Sequence, residues 1–347
     1  MHLQEIVDLT GGPEDGDGAL VADGSSSQPR GGRGSADAHG AESRREKSKG
    51  KHRHLQMIKN FFHERGMAMS HRTDDSGRFT TGQLAAGATV LTKSGQTVSA
   101  AGGAAESLVV LCNPDTLMFN ATLADRGWGC GYRNCQMLIS SLMRNAAPSR
   151  GAASRMPVEA VPLVRQLQEM LELAWRDGYD REGADQLDHR AMGTHKWIGT
   201  TEVYCILAHL GVRSHIVDFH CPTAADGSHV SMFSWIVEYF TSAATPTTTG
   251  QPGGVRFAGK HPLYLQHQGH SRTVVGVELS DDAICLLIFD PDVDARPSAA
   301  NGSVRLSRFR LPLARTRRIK QFQILYVEDD CFSPLPIPKQ IASQRIP

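Results

Sequence analysis

Apolar residues are unevenly distributed along this chain, and where they concentrate their period changes from that of a helix to that of a strand. Before Glu106 they are sparse. After it, Leu108–Cys112 (LVVLC) reads as a short buried strand. Trp128–Met143 starts glycine-rich and becomes helical, with Cys135, Leu138, Ile139 and Leu142 on one face. Pro162–Arg176 carries Leu163, Leu167, Met170, Leu171 and Ala174 as a second helical stripe. Thr201–Leu210 is a third helix, closed by Gly211, the residue type that most easily takes the left-handed position after a helix. Val212–Phe219 reads as a strand, and Met232–Phe240 as a helix with Ser231 as candidate N-cap. The Thr-, Gly- and Pro-rich stretch 242–261 reads as a loop. Beyond it come strands at Leu263–Gln266, Thr273–Glu278, Ile284–Asp290 and Phe322–Val327. Helices gathered first and antiparallel strands afterwards make the class α+β, with an antiparallel central sheet flanked by helices.

Organisation follows from the same pattern. Residues 1–55 are rich in Gly, Ser, Asp, Arg and Lys. They offer too little apolar surface to offset the entropy of ordering and read as a disordered tail. Residues 56–105 read as a linker or poorly ordered segment, with a short helix over Leu55–Phe62 at its start. The folded domain is expected over 106–330, and 331–347 as a C-terminal tail. A basic run at 44–54, RREKSKGKHRH, is open between a solvated linker and a nuclear-import or nucleic-acid patch. The formal net charge of +1 gives no global field to recruit nucleic acid or an anionic membrane. No apolar run approaches the roughly 20 residues of a membrane span. The N-terminal residues lack a basic segment leading into an apolar core, so no secretory signal is expected. The seven cysteines are irregularly spaced without a C-x-x-C pair. That pattern speaks against a zinc finger or a disulfide framework and for reduced thiols in the nucleus or cytoplasm. No cofactor and no metal are expected.

The segment Asp125-Arg-Gly-Trp-Gly-Cys-Gly-Tyr-Arg-Asn134 carries the strongest chemical signal. Glycines surround Trp128 and Cys130, where they allow a second backbone to approach closely. Cys130 then opens a helix, where the macrodipole and free N–H groups favour a thiolate. A nucleophilic cysteine needs a base, and the base an orienting group. Gln266-His-Gln-Gly-His-Ser-Arg272 supplies the first and Asp290 the second. If Thr273–Glu278 and Ile284–Asp290 form a hairpin across Ser280–Ala283, facing residue numbers add to 563, and His270 comes within about three residues of Asp290. His261 and His267 are rival bases. Alternation along the chain puts His267 and His270 on opposite faces. A metal site from these histidines lacks a carboxylate or thiolate at suitable spacing.

GWGCGYRNCQML, THKWIGTTEVY, HIVDFH, PLYLQHQGHSRTVVGVE and LLIFDP resemble the protease family that includes the ubiquitin-fold-modifier-specific proteases. Within it they look like the zinc-finger-bearing branch directed at ubiquitin. The resemblance runs from roughly Leu108 to Val327 and implies a papain-like fold. It implies Cys130 as nucleophile, His270 as general base, Asp290 as orienter and Gln266 as an oxyanion-hole donor. Ubiquitin's tail is extended, basic and ends in Gly-Gly. Asp180 and Glu202 are therefore the candidates for pairing its arginines, and Trp128 for walling the glycine passage. The modifier-specific proteases carry Asp-Pro-His with that histidine as base; here the triplet is Asp290-Pro291-Asp292, so His270 must serve, as in the ubiquitin-directed branch. The zinc fingers and helical ubiquitin-binding segments of that branch are not seen. The expected activity is that of a deubiquitinase acting on ubiquitin or polyubiquitin. The alternatives are a protease for another ubiquitin-like modifier and an inactive binding module. In the tail, Ile6, Val7 and Leu9, interrupted by Asp8 and followed by Glu14, Asp15 and Asp17, resemble a SUMO-interacting motif, a strand that adds to a sheet edge.

Overall fold

In a computed structural model the residues described are 78–85, 107–144, 156–242, 254–280, 283–293, 306–328, 331–332 and 335–347. The helices of interest are α1 (Cys130–Arg144), α2 (Val164–Arg176), α3 (Arg181–Gln186), α4 (Thr200–His209) and α5 (Val230–Thr241). The strands are β1 (Leu108–Leu111), β2 (Ser214–Phe219), β3 (Val255–Phe257), β4 (Leu263–His267), β5 (His270–Ser280), β6 (Ala283–Phe289), β7 (Arg310–Pro312), β8 (Phe322–Val327) and β9 (Ser343–Ile346). They form one nine-stranded sheet in the order β3-β1-β5-β4-β8-β2-β9, with β6 pairing β5 and β7. The long β5 organises it: its start pairs with β4 and its end with β1, while β6 runs along its other edge. α1 packs against β4 and β5, and α4 packs against α2 and the sheet. This α+β arrangement, a helix opened by a cysteine and laid on an antiparallel sheet that carries the histidine and the carboxylate, is papain-like.

The core lies between these layers. Leu111, Phe119, Tyr132, Leu138, Leu167, Ile206, Leu265, Val275, Phe289 and Ile324 are all at most 1% exposed. Each such apolar side chain contributes about 1.5–3 kcal/mol by leaving water. Among the described residues no helix is long and apolar enough to cross a membrane.

The helices and central strands follow the sequence periods closely, and Gly211 takes φ +74 after α4 as its position requires. Several short elements do not. Stretch 242–261, expected as a loop, contains β3, which pairs in parallel with β1. The expected C-terminal tail contributes β9, parallel to β2, so both outermost pairings depart from an antiparallel pattern. Part of the expected linker, residues 78–85, packs into the same compact unit: Phe79 stacks on Phe309 at 5.3 Å, and Thr81 and Leu84 are buried. The residue before α5 is His229 rather than Ser231, which sits in the first turn with its backbone N–H donating to Thr223 Oγ1 at 3.0 Å. The two edge strands β3 and β9 escaped the sequence reading for one reason. Strands of three or four residues at a sheet edge are held by backbone pairing, so no alternation is imposed on their side chains. The expected helix over Leu55–Phe62, the basic run and Ile6–Thr10 lie outside the described residues.

Candidate active site

The loop before α1 is built to present Cys130 at the helix N-terminus. Asp125 is buried, and Arg133 from the second turn of α1 grips it with two hydrogen bonds, Nε to Oδ2 at 2.7 Å and Nη2 to Oδ1 at 2.9 Å. Burial works against the Asp125 carboxylate, but Arg133 and Thr122 outweigh it and hold its pKa below the usual value. Gly129 N–H donates to the Asp125 carbonyl at 2.7 Å, and a Cβ on Gly129 would lie 2.5 Å from that carboxylate. A Cβ on Gly131 would lie 2.5 Å from the carbonyl oxygen of Ile198. The glycines flanking Cys130 thus mark two close approaches: the loop folding back beneath the cysteine, and the Trp197–Gly199 segment crossing above it.

On the sheet side, paired residues of β5 and β6 do add to 563 from Gly276/Leu287 to Ser280/Ala283, after which an irregularity near Val275 changes the register to Thr273/Phe289. Asp290, just past β6, meets His270: Nε2 donates toward Oδ1 at 3.0 Å and Oδ2 at 3.1 Å. With Nε2 committed to Asp290, Nδ1 is the ring nitrogen left for Cys130, and the two side chains are near enough that each shifts the other's pKa. Asp290 is further held by Arg272 Nε at 2.8 Å and the Asp292 N–H at 3.1 Å. The segment after Asp290 is tied to the loop before α1, with Ala121 N–H donating to the Pro291 carbonyl at 2.8 Å and Asn120 Nδ2 to the Val293 carbonyl at 2.6 Å.

The other face of β5 turns to α1. Asn134 Nδ2 donates to the Cys130 carbonyl at 2.9 Å and to Ser271 Oγ at 3.0 Å, and Thr273 Oγ1 donates to Asn134 Oδ1 at 2.7 Å. This buried network fixes the first turn of α1 to the strand that carries His270. The sequence reading passed over Asn134, Ser271 and Arg272. The signal for the last two is strand period: Ser271 with Thr273, and His270 with Arg272, share faces of β5.

Electrostatics single out one thiol. Burial opposes the Cys130 thiolate, but hydrogen bonds from His270 and Ser271 and the charge of the imidazolium outweigh it, so the pKa falls below 9.0. Burial pushes Cys112 up to about 12 and raises Cys135 and Cys205 as well. His270 moves the other way. Its burial disfavours the charge, yet Asp290 and Cys130 raise it to about 9. A thiolate–imidazolium pair is the state these shifts favour.

The rival histidines are elsewhere engaged. His261 Nδ1 bonds Ser141 Oγ at 3.0 Å, eleven residues along α1 from Cys130 and so about 16 Å away along the axis. His267 is the direct register partner of His270, and the rings approach to 6.0 Å. The two therefore share a face, contrary to the expectation from alternation, because the Gln268-Gly269 turn reverses the chain and cross-strand partners point the same way. His267 Nε2 accepts from Arg272 Nη1 at 2.7 Å, and burial first, then Arg272 and His270, push it down to about 4. It is a neutral acceptor rather than a base.

The remaining candidates are placed as follows. Gln266 stands opposite Ser271 in the ladder; its Nε2 donates to the His267 carbonyl at 2.8 Å and its Oε1 accepts from Tyr264 at 3.3 Å. Glu202 is buried at the start of α4, where Oε2 accepts from Gly199 N–H at 2.7 Å and Oε1 from Thr201 Oγ1 at 3.0 Å. Burial, with Asp180 nearby, raises its pKa. Asp180 caps α3, accepting from Gly183 N–H at 3.1 Å, in a left-handed conformation (φ 43). Trp128 donates from Nε1 to the Ala124 carbonyl and stacks on His195 at 4.9 Å. Trp197, not singled out from sequence, is 58% exposed and stands against the turn at Gly269. His270, Asp290 and Asp292 offer ligand atoms within 4.8 Å of one another, but Asp290 already shares the guanidinium of Arg272, whose charge opposes a further cation.

Comparison with known proteins adds relatives to this geometry. Residues 105–325 match Peptidase family C78. Zinc finger-containing ubiquitin peptidase 1 of Macaca fascicularis is 43% identical over 216 residues, 60% of this chain, and the Homo sapiens protein of that name 42%. The chain spans 36% of the length of each of those two relatives. Ubiquitin carboxyl-terminal hydrolase mug105 of Schizosaccharomyces pombe is 34% identical over 218 residues, 62% of this chain and 80% of its own length. A solved structure, described as the crystal structure of UfSP from C. elegans, covers 63% of this chain and 34% of its own at 17% identity. Its TM-score of 0.39 is too low to carry an argument.

Proposed function

The chain belongs to peptidase family C78, and from that footing we propose that it is a thiol-dependent deubiquitinase working through Cys130, His270 and Asp290. The observation that carries the reading is the His270–Asp290 hydrogen bond at 3.0 Å set beside Cys130 at the start of α1, whose thiol His270 lowers in pKa. Names of the relatives supply the substrate class: two are called ubiquitin peptidases and one a ubiquitin carboxyl-terminal hydrolase.

In the proposed reaction Cys130 Sγ attacks the carbonyl carbon of ubiquitin's terminal glycine while its proton resides on His270 Nδ1. The oxyanion accepts the Cys130 backbone N–H and the second amide N–H of Gln266, whose first is spent on the His267 carbonyl. Collapse breaks the C–N bond, and His270 gives its proton to the departing lysine amine. Water, deprotonated by His270, then hydrolyses the thioester and frees the thiol. Asp180 and Glu202, neighbouring carboxylates bonded only to backbone and hydroxyl donors among the described residues, are suited to the tail's arginines. Trp128 and Trp197 supply aromatic walls for its glycines. The tail motif at Ile6, Val7 and Leu9 is proposed to add SUMO as a second partner.

A ubiquitin probe with a C-terminal electrophile tests the reading. It should label the protein at Cys130 much faster than a probe built from the ubiquitin-fold modifier. Equal or reversed rates would move the assignment to another modifier, and no labelling would leave a binding module.

A further inference from the structure

We infer that Arg272 is a positioning residue for this site: its guanidinium bridges the Asp290 carboxylate and the ring of His267, and so fixes the carboxylate against which His270 works. The inference rests on the triad reading above and concerns two groups outside the triad.

The β4–β5 hairpin makes the arrangement. His267 pairs with His270 and Leu265 with Arg272, so Arg272 lies two register positions inward from the two histidines. Period two puts it on the face of His270. Its Nε donates to Asp290 Oδ2 at 2.8 Å, and its Nη1 to His267 Nε2 at 2.7 Å. A guanidinium only donates, so His267 Nε2 must be unprotonated and the ring proton sits on Nδ1, which donates to the Gln268 carbonyl at 3.1 Å. The neutral state that burial imposes on His267 is thus the state that anchors the arginine. A carboxylate held by one imidazole alone can turn about its Cβ–Cγ bond. Arg272 and the Asp292 N–H remove that freedom.

There is an electrostatic consequence as well. The charged and titratable groups facing His270 are Cys130 from α1, Asp290 and Asp292 from the end of β6, Arg272 from β5 and His267 from β4. The anions all favour the imidazolium. Arg272 opposes it, which keeps His270 able to release its proton to the leaving amine. Lysine cannot replace it fully, because one ammonium does not span two acceptors in a fixed fork.

The test is the pH profile of kcat/KM on a ubiquitin–fluorophore substrate, with diubiquitin as a second substrate. Arg272→Gln should move the alkaline limb upward by about one pH unit and cut kcat roughly tenfold or more on diubiquitin, whose leaving amine needs the proton, and less on the activated fluorophore. Arg272→Lys should keep the wild-type limb while kcat falls. An Arg272→Gln limb that stays put or moves down would overturn the inference, whatever the rate. Should that variant fail to fold, His267 decides: His267→Phe should lower kcat with KM unchanged, and His267→Gln, which restores an acceptor, should recover it. A wild-type kcat in His267→Phe would equally overturn the clamp. Activity surviving Cys130→Ala would instead bring down the triad, and the clamp with it.

Discussion

Gly131→Ala is the substitution whose effect the structure sets most sharply. In a helix the change alone is favourable, by about 1 kcal/mol, since alanine orders at lower cost than glycine. Against that stands the Ile198 carbonyl oxygen at 2.5 Å from the new Cβ, the Ile198 side chain at 2.6 Å and the Tyr264 hydroxyl at 3.1 Å. Ordinary carbon–oxygen contact begins near 3.4 Å, so α1 and the Trp197–Gly199 segment must part by several tenths of an ångström. The obstacle is backbone, not the end of a mobile side chain. Overpacking of this kind costs about 1–3 kcal/mol, leaving a net loss of up to about 2 kcal/mol. Function should suffer more than stability. The displaced segment carries Gly199, whose N–H holds Glu202 at 2.7 Å and which lies beside Gln266. Shifts approaching 1 Å near reacting groups cost up to about a hundredfold in rate. We expect kcat/KM for a ubiquitin–fluorophore substrate to fall ten- to a hundredfold, with urea melts showing the small stability loss. Hydrolysis within twofold of wild type would refute the idea that Gly131 exists for this close approach.

Three further outcomes are expected. Cys130→Ala and His270→Ala should each abolish cleavage in a single-turnover assay without unfolding the protein, and Asp290→Ala should be milder, because an orienting group acts through the base. Asp180→Asn keeps the left-handed turn and the Gly183 cap, and Glu202→Gln keeps an acceptor for Gly199. Each should therefore raise KM for ubiquitin substrates by about five- to fiftyfold through lost charge alone, and an unchanged KM would leave both as helix caps. His270 is raised in the fold from 6.5 to about 9, so its stabilising contribution is complete below pH 6.5 and lost as pH rises through about 9. The Tm gap between wild type and His270→Ala should accordingly shrink between pH 6.5 and pH 10; a gap that widens would contradict the ion pair.

The N-terminal motif predicts weak SUMO binding, micromolar to tens of micromolar, as expected of a segment that orders on contact. A titration of residues 1–25 followed by NMR should move Ile6–Thr10, and triple alanine substitution at Ile6, Val7 and Leu9 should abolish the shifts without altering ubiquitin hydrolysis.

Much of this was legible in one dimension, because much of it is governed by local rules. Helical period located α1, α2 and α4. Strand period and a short turn were enough for the register that brings Asp290 toward His270, since facing residues in a hairpin keep a constant sum until a bulge interrupts it. The glycines around Cys130 announced a close approach. What approaches was decided elsewhere in the chain, by the Ile198 carbonyl sixty-seven positions away. His267 shows where local reasoning fails: alternation holds along a strand but not through a turn, and the hairpin set the two histidines face to face. Edge strands β3 and β9 are too short, at three and four residues, to show an alternating side-chain pattern, and their place is set mainly by backbone pairing. Arg272 could be placed on the face of His270 by counting, but its choice of Asp290 and His267 as partners needed three strands in position. Residue type and period therefore determined which groups this protein has available for chemistry. Tertiary structure alone decided which of them meet, because hydrogen bonds and charges act over a few ångströms between residues the chain holds far apart.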